Sequence, residues 1–259
     1  MFGLGQLWLT LYSLPFMIAV QEMCARIGMV TGKGLAGIIK SHYSRPLLLT
    51  AVLLLAIANI TNIGADLGAM GSATSLISPL PFGLSLILIT VFTLSAAILI
   101  PYPTYAKILK YFAATVLSYV VAAFFITHDW KAITFATLIP HITWSSDFLL
   151  NVTAFLGTTI SPYLFFWQAD EEVEEEIEKH KISAFGKGIP TVTKADIHQM
   201  RADTITGMFL SNLVAFFIIT TASGTLTGNG QHTIASATEL AGALRPLAGD
   251  FAVYLFAFG

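Results

Sequence analysis

Long apolar segments recur along this chain at the length of a membrane-spanning helix, which is about 20 residues. A backbone within the bilayer must satisfy its hydrogen bonds internally, so it forms helices or a closed barrel. These segments lack the alternation of polar and apolar residues found in barrel strands, so helices are favoured. We predict seven spanning helices, at residues 2–24, 47–77, 82–100, 108–127, 146–168, 204–224 and 238–258.

The composition places most of the protein surface in contact with lipid. Charged residues make up 11% of the chain and hydrophobic residues 55%, whereas a soluble domain carries about 25% charged residues. We therefore predict an all-α polytopic membrane bundle, formed as one transmembrane domain over residues 1–259, in the plasma or inner membrane. A net charge of −2 with no basic stripe argues against a nucleic-acid partner.

The distribution of lysine and arginine predicts the orientation of the bundle. With the N-terminus outside, every basic residue except Lys131 and Arg245 falls in a cytoplasmic loop. The N-terminus is predicted to lie outside, although the first apolar segment lacks the charged start of a signal segment. The chain ends within an apolar helix. We expect a piece of a longer transporter; the alternative is a complete seven-helix protein.

The segment from Gly157 to Tyr163 predicts an interruption within the fifth spanning helix. Pro162 removes a helix donor and clashes with the preceding turn, which frees carbonyl groups near Thr158 and Ile160. Free carbonyls at membrane depth survive where they line a cavity or bind an ion, as in many transporters. The alternative is a proline kink in which Ser and Thr hydroxyls bond back to the helix.

A second candidate is a polar stripe in the second predicted helix. Asn59, Asn62 and Asp66 are spaced three and four residues apart, so they share one helix face. A carboxylate within a spanning helix usually marks an ion or proton path, and we expect the stripe to face the bundle interior. The alternative is a structural polar network.

Motifs for enzyme chemistry and preformed metal centres are missing from the sequence. The six histidines are scattered, and the single cysteine, Cys24, excludes a cysteine cluster. There is no HExxH, GxSxG or phosphate-binding glycine loop. We predict a protein that is not an enzyme and carries no resident cofactor.

Three segments resemble the Nramp family of divalent metal transporters. Gln21–Ala36 is similar to the family's second helix and following loop, Ile63–Gly68 to its third helix, and Gly157–Tyr163 to its broken sixth helix. The resemblance implies a partial LeuT-type inverted-repeat fold that begins after the family's first helix. It also implies transport of a divalent metal ion across the lipid bilayer.

The departures from the family pattern bear on the metal. In place of the family's Met-Pro-His motif the chain has Ser161-Pro162-Tyr163, and a second family histidine is replaced by Gln168. The residue whose carbonyl binds metal in the family corresponds to Thr158. Asp66 is kept, but the glutamate three residues later is Ala69.

These replacements shift the expected ligands from sulfur and imidazole to oxygen. Oxygen ligands suit Mg²⁺ and Mn²⁺, whereas a thioether favours the softer, later transition metals. The lost histidines and glutamate are groups that a proton path would use. The resemblance thus implies transport of Mg²⁺ or Mn²⁺, or of Fe²⁺, with weak or no proton coupling, as in the Nramp-related magnesium transporters.

Two other functions fit the residues. The hydroxyl-rich interruption also suits a LeuT-type carrier that couples sodium to a small organic solute. A seven-helix protein without the first helix could alternatively be a scaffold or subunit that transports nothing. An acidic ligand in an upstream first helix would favour the metal transporter.

Overall fold

The computed structural model describes residues 3–100, residues 104, 108, 111, 120, 123 and 124, and residues 129–229. Within this part the fold is all-α, as predicted, and no strand occurs there. After a 3₁₀ turn at Gly3–Gln6, the helices are α1 (Trp8–Thr31), α2 (Leu35–His42), α3 (Arg45–Ile77), α4 (Phe82–Leu99), α5 (Trp130–Leu138), α6 (Ser146–Thr159), α7 (Pro162–Glu178) and α8 (Lys194–Asn229).

Five segments of the described chain are long and apolar enough to cross a membrane. They correspond to the first, second, third, fifth and sixth predicted helices, and they cover Leu4–Thr31, Arg45–Ser75, Phe82–Leu99, Ser146–Glu178 and Lys194–Ser223. The fourth predicted helix, at 108–127, falls mostly outside the described residues, and the seventh, at 238–258, falls wholly outside them. The polytopic helical architecture is therefore confirmed for the part of the chain that the structure covers.

Several helices continue beyond the apolar segments that predicted them. α1 runs on to Thr31, α7 runs through the acidic residues to Glu178, and α8 begins at Lys194. Hydropathy marks the part of a helix that lies in lipid, but polar residues with good helix propensity extend it into water. The short helices α2 and α5 were not predicted, because each is too short to span a membrane.

The chain divides into two compact units, and α3 and α8 each contribute to both. One unit comprises Met1–Trp8, Asn62–His141 and Leu213–Gly259, and the other comprises Leu9–Thr61 and Ile142–Asn212. In the first unit α5 packs on the 3₁₀ turn, and its N-terminus is capped by the Asp129 carboxylate, which accepts from the amides of Lys131 and Ala132. The candidate site of the interrupted helix lies in the second unit.

The second unit has a small apolar core where its helices emerge from their apolar segments. Ala25 and Met29 of α1 pack against Met200 of α8, and Val192 and Ile197 close the cluster. Deeper in the unit, the Asn212 side chain donates a hydrogen bond to the Thr10 carbonyl oxygen. This core fixes the last turns of α1 beside the start of α8 and the loop that follows α7.

Candidate functional site

The predicted interruption is present between α6 and α7. α6 ends at Thr159, Ile160 takes φ −105° and ψ 66°, and Ser161 is extended at φ −88° and ψ 130°. Pro162 then occupies the first turn of α7, where its missing N–H costs nothing. The residue before a proline is driven out of the α region, so the sequence Ser161-Pro162 ends one helix and starts the next.

The hydroxyl groups around the interruption are turned towards the helix. The Ser161 hydroxyl donates to the carbonyl oxygens of Gly157 (2.8 Å) and Thr158 (2.7 Å), and the Thr158 hydroxyl lies within hydrogen-bond distance of the Ala154 and Phe155 carbonyl oxygens. The hydrogens of these hydroxyls therefore bond back to the helix, as the alternative of a proline kink predicts. Hydroxyls near a helix end readily bond back to carbonyls that have lost an amide donor. Each hydroxyl has one hydrogen and two lone pairs, so its acceptor side is still available.

The carbonyl groups at the interruption differ in how they are satisfied. The Thr158 carbonyl, which was expected to be free, accepts from Ser161. The Leu164 amide turns back to the Ser161 carbonyl oxygen at 3.1 Å. Among the described residues, no backbone amide donates a hydrogen bond to the carbonyl oxygen of Ile160. The main-chain oxygen of Ile160 is thus the group that the interruption leaves available.

The predicted metal ligands do not form one shell in this structure. Ser161 is completely buried, Tyr163 is half-buried and Thr158 is exposed. The interruption brings Thr158 and Ser161 together through their hydrogen bond, whereas Gln168 lies two turns further along α7. There Gln168 Oε1 accepts from Gln21 Nε2 (3.1 Å), and Gln168 Nε2 donates to Glu172 Oε1 (3.0 Å).

Two residues of this second cluster were not singled out as candidates. Gln21 is 3% exposed and Glu172 is 8% exposed, and both belong to helices within the second unit. The spacing of Gln168 and Glu172, four residues apart on α7, could have placed them on one face. Gln21 carries a weaker signal, a lone amide within the apolar α1. Their contact depends on how α1 packs on α7, which no spacing reveals.

The polar stripe on α3 is in place, but the described residues do not enclose it. α3 is continuous from Arg45 to Ile77, so Asn59, Asn62 and Asp66 share a face as predicted. Asn59 and Asn62 are half-buried, and Asp66 is exposed. The expected burial of Asp66 is therefore not found in the described part of the chain. Nor do three or more His, Cys, Asp or Glu residues form a metal-binding group among the residues described.

Charged residues tie the ends of α1, α7 and α8 together. Lys181 pairs with Asp196 at 2.9 Å and with the buried Glu176 at 3.3 Å. Arg201 reaches Glu22 at 3.2 Å, and Glu22 also pairs with Arg26, which lies four residues further along α1. Burial lowers the pKa of Lys181, but hydrogen bonds to Asp196 and Glu176 outweigh it and leave the pKa above its ordinary value.

Helices of spanning length, one of them interrupted at a proline, define a polytopic integral membrane protein with a broken helix. The sequence profile described as Natural resistance-associated macrophage protein-like (Nramp) matches residues 1–259, and the chain belongs to this family. The chain is also similar to a protein named divalent metal cation transporter MntH from Granulibacter bethesdensis. The two are 26% identical over 168 residues, which cover 64% of this chain and 38% of that relative.

Proposed function

We propose that this chain forms part of a transporter that carries divalent metal cations across a bilayer, which is the plasma or inner membrane. Membership of the Nramp family supports the proposal, as does similarity to a relative named as a divalent metal cation transporter. The observation that carries it is the interruption between Thr159 and Pro162, which leaves the Ile160 carbonyl without an amide donor among the described residues. Carbonyl groups of this kind coordinate cations in broken-helix transporters.

The donor atoms at the interruption favour a hard ion. Thr158, Ser161 and Tyr163 offer hydroxyl, phenol and carbonyl oxygens, and Gln168 further along α7 offers an amide oxygen. Mg²⁺ and Mn²⁺ prefer oxygen ligands and, for Mg²⁺, several retained waters. We infer that the transported ion is Mg²⁺ or Mn²⁺ rather than Fe²⁺. Proton coupling is weak or missing, since the histidine positions hold Tyr163 and Gln168.

Ion uptake by the protein in proteoliposomes tests this function. We expect Mg²⁺ or Mn²⁺ to enter without acidification of the lumen. Ser161→Met adds a thioether and should raise uptake of a softer ion such as Cd²⁺, whereas the matched variant Ser161→Ala removes the hydroxyl without adding sulfur. Uptake that requires sodium and an organic solute, or no uptake of any divalent ion, would contradict the proposal.

A further inference from the structure

Glu172 is a buried carboxylate that belongs to no ion pair among the described residues. Its exposure is 8%, and none of the ion pairs in the described chain includes it. Its carboxylate oxygen Oε1 accepts a hydrogen bond from the neutral amide of Gln168. The nearby Glu176, which is also buried, has Lys181 as an ion-pair partner. A buried carboxylate is costly unless it is paired or binds a cation. Lys179 lies at the same cleft, but its ion pair is with Glu175 and not with Glu172.

Gln21, which contacts Gln168, also has a buried polar atom without a partner. Its side chain is 3% exposed, and its Nε2 donates to Gln168 Oε1, which directs the amide into this cluster. Its Oε1 is buried and has no hydrogen-bond partner in the described structure. A buried amide oxygen without a donor costs free energy comparable to a lost hydrogen bond. The cluster therefore has an excess of oxygen acceptors and one negative charge.

A cation would satisfy both groups. If the amides of Gln21 and Gln168 both rotate, the Gln168 oxygen faces the Glu172 carboxylate, and the Gln21 oxygen accepts a hydrogen bond from the Gln168 amide nitrogen. Amide oxygen and nitrogen exchange places readily, since they have nearly the same shape. Divalent ions such as Mg²⁺ bind through one or two carboxylates and keep several waters. A set with a single negative charge suits a hard divalent ion that is held weakly and then released.

Glu172 also borders a small polar cleft on the side of α7 away from the interruption. The cleft has a volume of about 20 Å³, and its wall includes the acidic residues Glu175, Asp196 and Asp203 together with one basic residue, Lys179. That volume holds about one water molecule. Ser161, Gln168 and Glu172 lie seven and four residues apart along α7, so they follow one another from the interruption towards this cleft.

We propose that Glu172, Gln168 and Gln21 form a second cation site, which holds the transported divalent ion between the helix interruption and the acidic end of α7. The ion specificity of this site rests on the proposed transport function, but its existence does not. Glu172 supplies the charge and Gln168 supplies a neutral oxygen, while Gln21 holds the Gln168 amide in the orientation that the ion requires. The negatively charged cleft beyond Glu172 then gives the ion an exit.

Binding of Mn²⁺ to the purified protein tests this site, with free Mn²⁺ measured by electron paramagnetic resonance. We expect Glu172→Gln, which preserves shape and removes the charge, to lose one bound Mn²⁺ relative to the unmodified protein. Glu174→Gln removes a charge from an exposed position on the same helix and should keep the full number. Gln21→Leu, which removes the side chain that orients the Gln168 amide, should weaken binding of the same ion.

The outcomes separate this site from the transport function. If Glu172→Gln and Glu174→Gln bind as much Mn²⁺ as the unmodified protein, the site is overturned, and Glu172 is instead neutralised by a proton. If the Mn²⁺ difference is found but the unmodified protein transports no divalent ion in proteoliposomes, the transport function fails and the site stands. Loss of the bound ion together with slower Mn²⁺ release on the far side of the membrane supports both.

Discussion

Gly28 of α1 lies directly against the main chain of Ala169 on α7, so closely that a Cβ atom at position 28 would overlap the Ala169 carbonyl group. The contact brings the two backbones together one residue beyond Gln168 and one turn before Val173, which is completely buried. Close approach of this kind at glycine is common between helices in membranes. It holds the second half of the interrupted helix against α1.

Gly28→Ala should destabilise the protein, because the obstacle is main chain and cannot rotate away. Overpacking of this kind typically costs about 1–3 kcal/mol. Gly207→Ala is the matched control, since nothing lies within 4 Å of a Cβ at that helical position. We expect the control to be neutral or slightly stabilising, because alanine has the higher helix propensity. Thermal unfolding in detergent measures the difference, and equal melting temperatures for the two variants would contradict the close contact.

Lys181→Met should destabilise the second unit by leaving the buried Glu176 without its ion-pair partner. An unsatisfied buried acceptor costs about 1–3 kcal/mol. Lys179→Met is the control, because its partner Glu175 is exposed and such surface pairs contribute about 0–1 kcal/mol. Unfolding in denaturant compares the two variants, and a larger loss for Lys179→Met would refute the assignment.

The same ion pairs predict a pH dependence at the alkaline end. The folded pKa of Lys181 is raised, so its contribution to stability is present below the unfolded pKa, which is about 10.4. That contribution is lost as pH rises through the folded pKa. Between neutral pH and pH 9, the gap in stability between the unmodified protein and Lys181→Met should stay constant. A gap that closes in this range would show that another group carries the interaction.

Ser161→Ala should destabilise the interruption, since two carbonyl groups share the hydroxyl that it removes. The expected loss is about 1 kcal/mol, the net value of a typical hydrogen bond. Thr159→Val provides a comparison, because the Thr159 hydroxyl bonds to the Phe155 carbonyl within a regular turn of α6. We expect that variant to stay within about 0.5 kcal/mol of the unmodified protein. Hydrogen exchange at the end of α6 should quicken in Ser161→Ala alone.

Asp66→Asn should reduce divalent-ion uptake while leaving stability unchanged. Asp66 is exposed, and no hydrogen bond or ion pair is found for it among the residues described, so the substitution removes no structural contact. A change of this kind is expected to alter stability by less than about 0.5 kcal/mol. Uptake in proteoliposomes and thermal unfolding, measured on the same preparation, separate the two effects. Unaltered uptake would remove Asp66 from the ion path.

Much of the helical framework could be predicted because hydropathy is a property of each segment by itself. The apolar runs placed α3 and α4 to within two residues, and the Ser161-Pro162 pair placed the interruption. The ends of α1, α7 and α8 were missed because polar residues, which hydropathy does not mark, extend these helices and contacts between elements stabilise the extensions. Lys181 with Asp196 and Arg201 with Glu22 are examples, and neither pair follows from spacing along one helix.

The amino-acid sequence by itself determined that the chain forms apolar helices, which of them is broken, and which residues could offer oxygen to an ion. Local chemistry suffices for these features, since proline and hydropathy act within a few residues of their own position. Tertiary structure alone decided that Gln168 meets Gln21. This contact joins residues 147 positions apart, and the packing of α1 against α7 at Gly28 brings them together.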